Sequence, residues 1–163
     1  MMKVIFLDID GVLNTISDGF GIPHNMQPQS LDRRAIGMLK YVTKVTESHI
    51  VISSTWRCFG THEWFCGLFE AYGWFQPPII DITRGSKKDE IRGDEVNDYL
   101  NQHVIDKYVI IDDDSDFYPD QKLVQTNVAN GFMLKHALEC IDILGNELEK
   151  EEKSIKDLKL YVK

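Results

Sequence analysis

Three polar strings stand where apolar, β-patterned runs stop. Asp8-Ile9-Asp10-Gly11 follows Val4-Ile5-Phe6-Leu7, Ser53-Ser54-Thr55 follows His49-Ile50-Val51-Ile52, and Asp112-Asp113-Asp114 follows Tyr108-Val109-Ile110-Ile111. Carboxylates gathered at one place repel one another, and a divalent cation between them relieves that repulsion. Oxygen ligands alone suit Mg²⁺, which keeps several waters and takes a bound phosphate as a further partner. Each string has an ordinary reading by itself, since a strand-end aspartate commonly serves a turn or a cap. Their combination, each directly after a buried-strand pattern, points to one Mg²⁺ and phosphate site.

The elements that must position these strings can be read from periodicity. Residues 3–7 pattern as a fully buried parallel strand, and Gly19, Gly21, Pro23 and Pro28 mark a loop. Ser30 can then cap a helix carrying Leu31, Ala35, Leu39, Val42 and Val45 on one face. A second strand over 49–52 precedes a helical pattern over 62–72 that Gly73 closes. A short strand at 79–82, a helix over 93–102, a strand at 108–111 and another at 123–126 follow. Gly131 opens a helix running through Leu138 to Leu144, and an amphipathic tail carries Leu148, Ile155, Leu158 and Val162.

Strands alternating with helices predict an α/β fold: a Rossmann-like parallel sheet covered by helices on both faces through right-handed crossovers. In such sheets ligands bind outside the carboxyl ends of the strands, where all three polar strings lie. The expected organisation is one core over residues 1–145, with residues 146–163 a helical tail packed on it.

Composition limits the function classes. A chain of 163 residues, 43% hydrophobic and 10% aromatic, is one domain's worth of folded protein and not a disordered one. Its net charge of −8 argues against sequence-blind coating of nucleic acid and leaves room for a local basic patch. No apolar run nears the roughly 18 residues of a membrane helix, and Asp8 interrupts the N-terminal run before a signal core could form. The expected address is cytoplasmic, with no membrane partner. Cys58, Cys66 and Cys140 are odd in number and lack CxxC spacing, so buried free thiols are expected rather than disulfides or zinc. His24, His49, His62, His103 and His136 show no ligand spacing.

The string Val4-Ile5-Phe6-Leu7-Asp8-Ile9-Asp10-Gly11-Val12-Leu13-Asn14 resembles the first signature of the haloacid dehalogenase (HAD) superfamily. Ser53-Ser54 is similar to the second signature, and the aspartates from Asp112 are similar to the fourth. The resemblance covers roughly the first 130 residues. More narrowly, Ser-Ser-Thr-Trp-Arg (Ser53 to Arg57) and Arg-Gly-Asp-Glu-Val (Arg92 to Val96) resemble small HAD domains grouped with RNA-repair phosphatases.

That resemblance implies roles. Asp8 would attack phosphorus and form an aspartyl-phosphate, and Asp10 would protonate the leaving oxygen and then deprotonate the resolving water. An aspartate at the Asp10 position marks phosphatases and phosphomutases in the family. Gly11 would permit the turn beside the phosphate, and Ser54, with Ser53 as its rival, would bind a phosphate oxygen. Mg²⁺ would be held by Asp8, the Asp10 carbonyl and Asp113, with Asp112 beside them. The cation that joins nucleophile and phosphate would be Arg92, ahead of Lys87 and Lys88, with Arg57 a further candidate near the second signature.

The spacers on either side of Ser54 leave no room for a large cap domain. Capless relatives act on exposed phosphate groups, so a phosphorylated substrate such as a nucleic-acid terminus is expected. Phosphatase action on small esters or phosphoproteins is the alternative. Trp56, Trp64, Phe65, Phe69, Trp74 and Phe75 crowd the second spacer as core residues, of which one or two could stack on a base. Two rivals remain: a receiver-like module and a catalytically silent HAD-like binding protein.

Overall fold

The computed structural model describes residues 1–16, 31–85 and 87–148. The strands are β1 (Lys3–Leu7), β2 (His49–Ile52), β3 (Ile79–Ile82), β4 (Lys107–Asp112) and β5 (Leu123–Gln125). The described helices are α1 (Arg33–Thr46), α2 (His62–Ala71), α3 (Arg92–Gln102) and α4 (Leu134–Leu144), and a single 3₁₀ turn spans Thr55–Cys58. All strand pairs are parallel, in the order β3-β2-β1-β4-β5.

β1 is apolar along its whole length because both of its faces are covered. Ile5 and Leu7 face α1, α2 and α4 across a core that includes Leu39, Phe65, Phe69, Ala137 and Cys140. Val4 and Phe6 face the other way onto Val96 and Tyr99 of α3, where Phe6 meets Tyr99 edge-on at 5.5 Å. The chain steps outward from β1 to β2 to β3, then returns past β1 to β4. Crossovers of one hand running in opposite directions must put their helices on opposite faces, which accounts for α3 alone covering its side among the described helices. Direction reverses between β1 and β4, and there the crevice opens.

Register brings the polar strings level. Leu7 pairs with Ile52 on one side and with Ile111 on the other. Parallel strands in equal register release their next residues side by side, so Asp8, Ser53 and Asp112 emerge together. Hydrogen bonds from Ser53 N to Leu7 O (2.9 Å) and from Asp8 N to Ile111 O (3.0 Å) carry the ladder one residue further.

Several local expectations are corrected. The cap of α1 is Asp32, whose carboxylate accepts from Arg34 N at 2.8 Å, and Ser30 lies outside the described residues with Gly19, Gly21, Pro23, His24 and Pro28. Gly131 does not open α4; its N–H bonds Asn127 O at 2.8 Å in a preceding turn, and the helix starts at Leu134. Cys140 is buried, which pushes its thiol up to about 12, whereas Cys66 is half-buried and Cys58 is exposed. Of the expected tail, residues 149–163 lie outside the described residues. No described helix is long and apolar enough to cross a membrane.

Candidate active site

Carboxylate oxygens of Asp8, Asp112 and Asp113 lie within 4.8 Å of one another at the carboxyl ends of β1 and β4. Arg92, the first residue of α3, enters this cluster from the side. Its Nη1 lies 3.3 Å from Asp8 Oδ1 and donates to Asp112 Oδ2 at 3.0 Å and to Ser53 O at 3.2 Å. Of the other sequence candidates for this cation, Lys87 and Lys88 are exposed, and Lys87 Nζ sits 3.7 Å from Glu90 Oε1. Arg57 is turned away, toward Glu95.

Three carboxylates against one guanidinium leave two negative charges in excess, the charge of one divalent cation. Asp8 Oδ1 is buried and, apart from the Arg92 ion pair, has no hydrogen-bond partner among the described residues. Burial raises the Asp8 carboxyl above the usual range, opposed by the Arg92 charge and by a hydrogen bond with the Ser54 side chain. Burial and the Asp8 charge push Asp112 up to about 8, and the same two causes raise Asp113. A cluster of oxygens that resists full ionisation by itself, with one buried lone pair unused, fits a hard divalent cation.

Asp10 is held apart from that cluster by two neutral donors. Trp56 Nε1 donates to its Oδ2 at 2.9 Å, and Asn14 Nδ2 donates to its Oδ1 at 2.8 Å. Asn14 Oδ1 in turn accepts from Gly11 N at 3.1 Å. Gly11 has φ +70°, and a Cβ there would stand 2.4 Å from Asp113 Cγ. Only glycine can take that left-handed turn and let the β4 loop come so close.

The strings Ser53 to Arg57 and Arg92 to Val96 lock together beneath the crevice. Ser54 caps the 3₁₀ turn by accepting from Trp56 N at 3.3 Å, and its side chain reaches Asp8. Ser53 is fully buried, with a hydroxyl that has no partner among the described residues, while its carbonyl accepts from both Arg57 and Arg92. Arg57 Nη2 donates to the buried Glu95 Oε1 at 2.7 Å, joining the turn to α3. Asp116 accepts from Arg92 N at 3.1 Å, and Gly93 N bonds Asp116 O at 3.1 Å, which pins the start of α3 against the loop after β4. A Cβ on Gly93 would meet Gln121 Oε1 at 2.7 Å and Phe117 Cα at 3.2 Å, so glycine allows this approach. Arg92 is thereby placed by backbone contacts that do not involve its own side chain.

Asn14 and Glu95 stood within the quoted strings without a role and Asp116 was not singled out, while Trp56 was read as a core residue or a base-stacking one and not as a partner of Asp10. The available signal was physical. A buried indole N–H needs an acceptor, and a tryptophan four residues past the end of β2 has Asp10 of the neighbouring strand end within reach. Of the crowded aromatic residues, Trp56, Phe65, Phe69 and Trp74 are buried, whereas Phe75 is 75% exposed. Phe75 precedes β3 and so stands at the amino-terminal edge of the sheet, away from the crevice. The described histidines lie elsewhere: His49 is exposed at the start of β2, His62 contacts Ile79 O, His103 contacts Tyr99 O, and His136 accepts from Met133 N.

Comparison with known proteins gives one match. The family model described as the HAD domain in Swiss Army Knife RNA repair proteins covers residues 4–137, a span that contains every residue of the crevice described above. No curated protein and no solved structure matches.

Proposed function

Since the chain belongs to the family of HAD domains in Swiss Army Knife RNA repair proteins, we propose that it is a Mg²⁺-dependent phosphatase acting on terminal phosphate groups of nucleic acid. The observation that carries this reading is the division of labour between two carboxylates two residues apart. Asp8 stands among charges, with Asp112, Asp113 and Arg92 around it, while Asp10 is fixed by the neutral Trp56 and Asn14. Two carboxyl groups in different environments can serve as nucleophile and as acid/base.

In the first step an Asp8 oxygen bonds to phosphorus, the bond from phosphorus to the leaving oxygen breaks, and the Asp10 proton passes to that oxygen to give an alcohol. In the second, water attacks the same phosphorus, Asp10 takes its proton, and the bond to Asp8 breaks to release inorganic phosphate. Arg92 bridges the nucleophile and the incoming phosphate, and Ser54 redirects its hydroxyl from Asp8 to a phosphate oxygen. Asp8, Asp112 and Asp113, with the Asp10 carbonyl, would hold Mg²⁺, which supplies charge neutralisation at the transferring phosphoryl group.

The sheet order counts against the receiver-like rival, whose flavodoxin-like order is 2-1-3-4-5 rather than β3-β2-β1-β4-β5. A panel of 3′- and 5′-phosphorylated oligonucleotides, mononucleotides, sugar phosphates and phosphopeptides tests the substrate. Oligonucleotides should show the highest kcat/KM, with an advantage that shrinks as salt rises. A sugar phosphate or phosphopeptide turned over better than any oligonucleotide would move the assignment to small esters or phosphoproteins. No release from any member, nor from a chromogenic phosphate ester, would leave a silent binding protein.

A further inference from the structure

Trp56 is fully buried and packs in the core near Trp64, yet it is the residue through which the β2 end grips the acid/base. Its two N–H groups do separate work. The backbone N–H donates to Ser54 Oγ at 3.3 Å, so that hydroxyl's own proton is free to point at Asp8 or at a phosphate oxygen. The indole N–H donates to Asp10 Oδ2 at 2.9 Å. An indole nitrogen is a donor only, so it can never accept the proton that Asp10 must carry. Asn14, itself fully buried, holds the other oxygen at 2.8 Å and is anchored in turn by Gly11 N. The enclosed ring, acting with Asn14 on the opposite oxygen, therefore fixes the plane of the Asp10 carboxyl.

We infer that Trp56 is a positioning residue for proton transfer to the leaving group: its indole N–H holds the Asp10 carboxyl in line with the departing oxygen. This rests on the phosphatase reading above. The proton Asp10 delivers matters most for a poor leaving group such as an alkoxide and least for an activated phenolate, which departs without help. A residue that acts only on folding or on phosphate binding would affect both substrates alike.

Trp56→Phe keeps an aromatic ring and the backbone N–H to Ser54 while removing the indole donor, and the buried volume it also gives up acts on both substrates alike. kcat/KM reports the first, leaving-group step, so it should fall roughly 10- to 100-fold on an alkyl phosphate and less than about 3-fold on 2,4-dinitrophenyl phosphate. Trp64→Phe, which alters the neighbouring ring but makes no bond to Asp10, should show no such difference between substrates. If Trp56→Phe does not fold, a benzothiophene analogue of tryptophan incorporated at position 56 keeps the shape and lacks the N–H, and the same split is expected. Equal losses on both substrates, or none, would overturn the inference while leaving the phosphatase reading intact. A wild-type protein inactive on both esters and on every phosphorylated oligonucleotide would instead refute that reading, and the placement of the bond is then decided by the indole ¹H–¹⁵N signals. Asp10→Ala should shift the Trp56 signal and speed its hydrogen exchange, leaving those of Trp64 and Trp74 in place, and an unmoved Trp56 signal would overturn the contact itself.

Discussion

Replacing Asp8, the proposed nucleophile, should abolish turnover and, without metal, make the protein more stable. In Asp8→Asn the amide cannot attack phosphorus, so release of phosphate should fall below detection. Asp8 also sits within 4.8 Å of both Asp112 and Asp113 and 3.3 Å from Arg92. At an effective dielectric constant of about 20, a like charge at the first distance repels by about 3.5 kcal/mol and an unlike charge at the second attracts by about 5 kcal/mol. Two repulsions removed against one attraction lost leave a net relief of about 2 kcal/mol when all groups are ionised. For a chain of this size that corresponds to a melting temperature higher by about 4–8 °C. The assay is thermal unfolding by circular dichroism at pH 8.5 in EDTA, repeated in saturating MgCl₂. With the metal the order should reverse, because a site filled at 100 times its Kd adds about 2.7 kcal/mol to the wild type. An Asp8→Asn protein that melts below wild type in EDTA would refute the view that the cluster carries unrelieved negative charge. Near-normal turnover would refute the nucleophile assignment.

Further outcomes follow from the same geometry. Arg92→Ala should lower kcat by orders of magnitude with the fold intact, while Lys87→Ala and Lys88→Ala change it only a few-fold; a dead Lys88→Ala beside a normal Arg92→Ala reverses the assignment. Asp10→Asn should accumulate more acid-stable phosphorylated protein than wild type in a quench with labelled substrate, since the base for the second step is gone. The raised carboxyls of Asp112 and Asp113 mean that the metal-free fold holds more protons than the unfolded chain between an ordinary aspartate value near 4 and about 8. Metal-free stability should therefore fall as pH rises through that window, and the loss should be smaller in Asp112→Asn; equal slopes for the two proteins would contradict this. Glu95→Gln, which strips the half-buried Arg57 of its ion pair with a buried carboxylate, should cost about 3 kcal/mol and lower the melting temperature by roughly 6 °C.

Much of the site was legible in the chain because strand ends announce themselves. Three apolar runs that stop at carboxylates or hydroxyls already state which residues will line a parallel sheet's carboxyl edge, and Asp8, Ser53, Ser54 and Asp112 stand there. The alternation of runs likewise contained the parallel, doubly covered sheet, since a strand without a polar face must be buried on both sides. The choice between neighbours was not in the sequence. Ser54 rather than Ser53 reaches Asp8, because the chain leaves β2 into a 3₁₀ turn whose cap sets the hydroxyl's direction. Among Arg57, Lys87, Lys88 and Arg92, proximity along the chain favours none; Asp116 and the close approach at Gly93 bring Arg92 to the cluster, and Glu95 draws Arg57 away. Trp56 shows the limit most plainly. A buried aromatic residue and a donor to a crevice carboxylate are the same letter in a sequence, and they separate only when 46 positions of chain close to a 2.9 Å contact with Asp10. Local patterning dictates which side chains reach the crevice, whereas long-range packing dictates which of them touch.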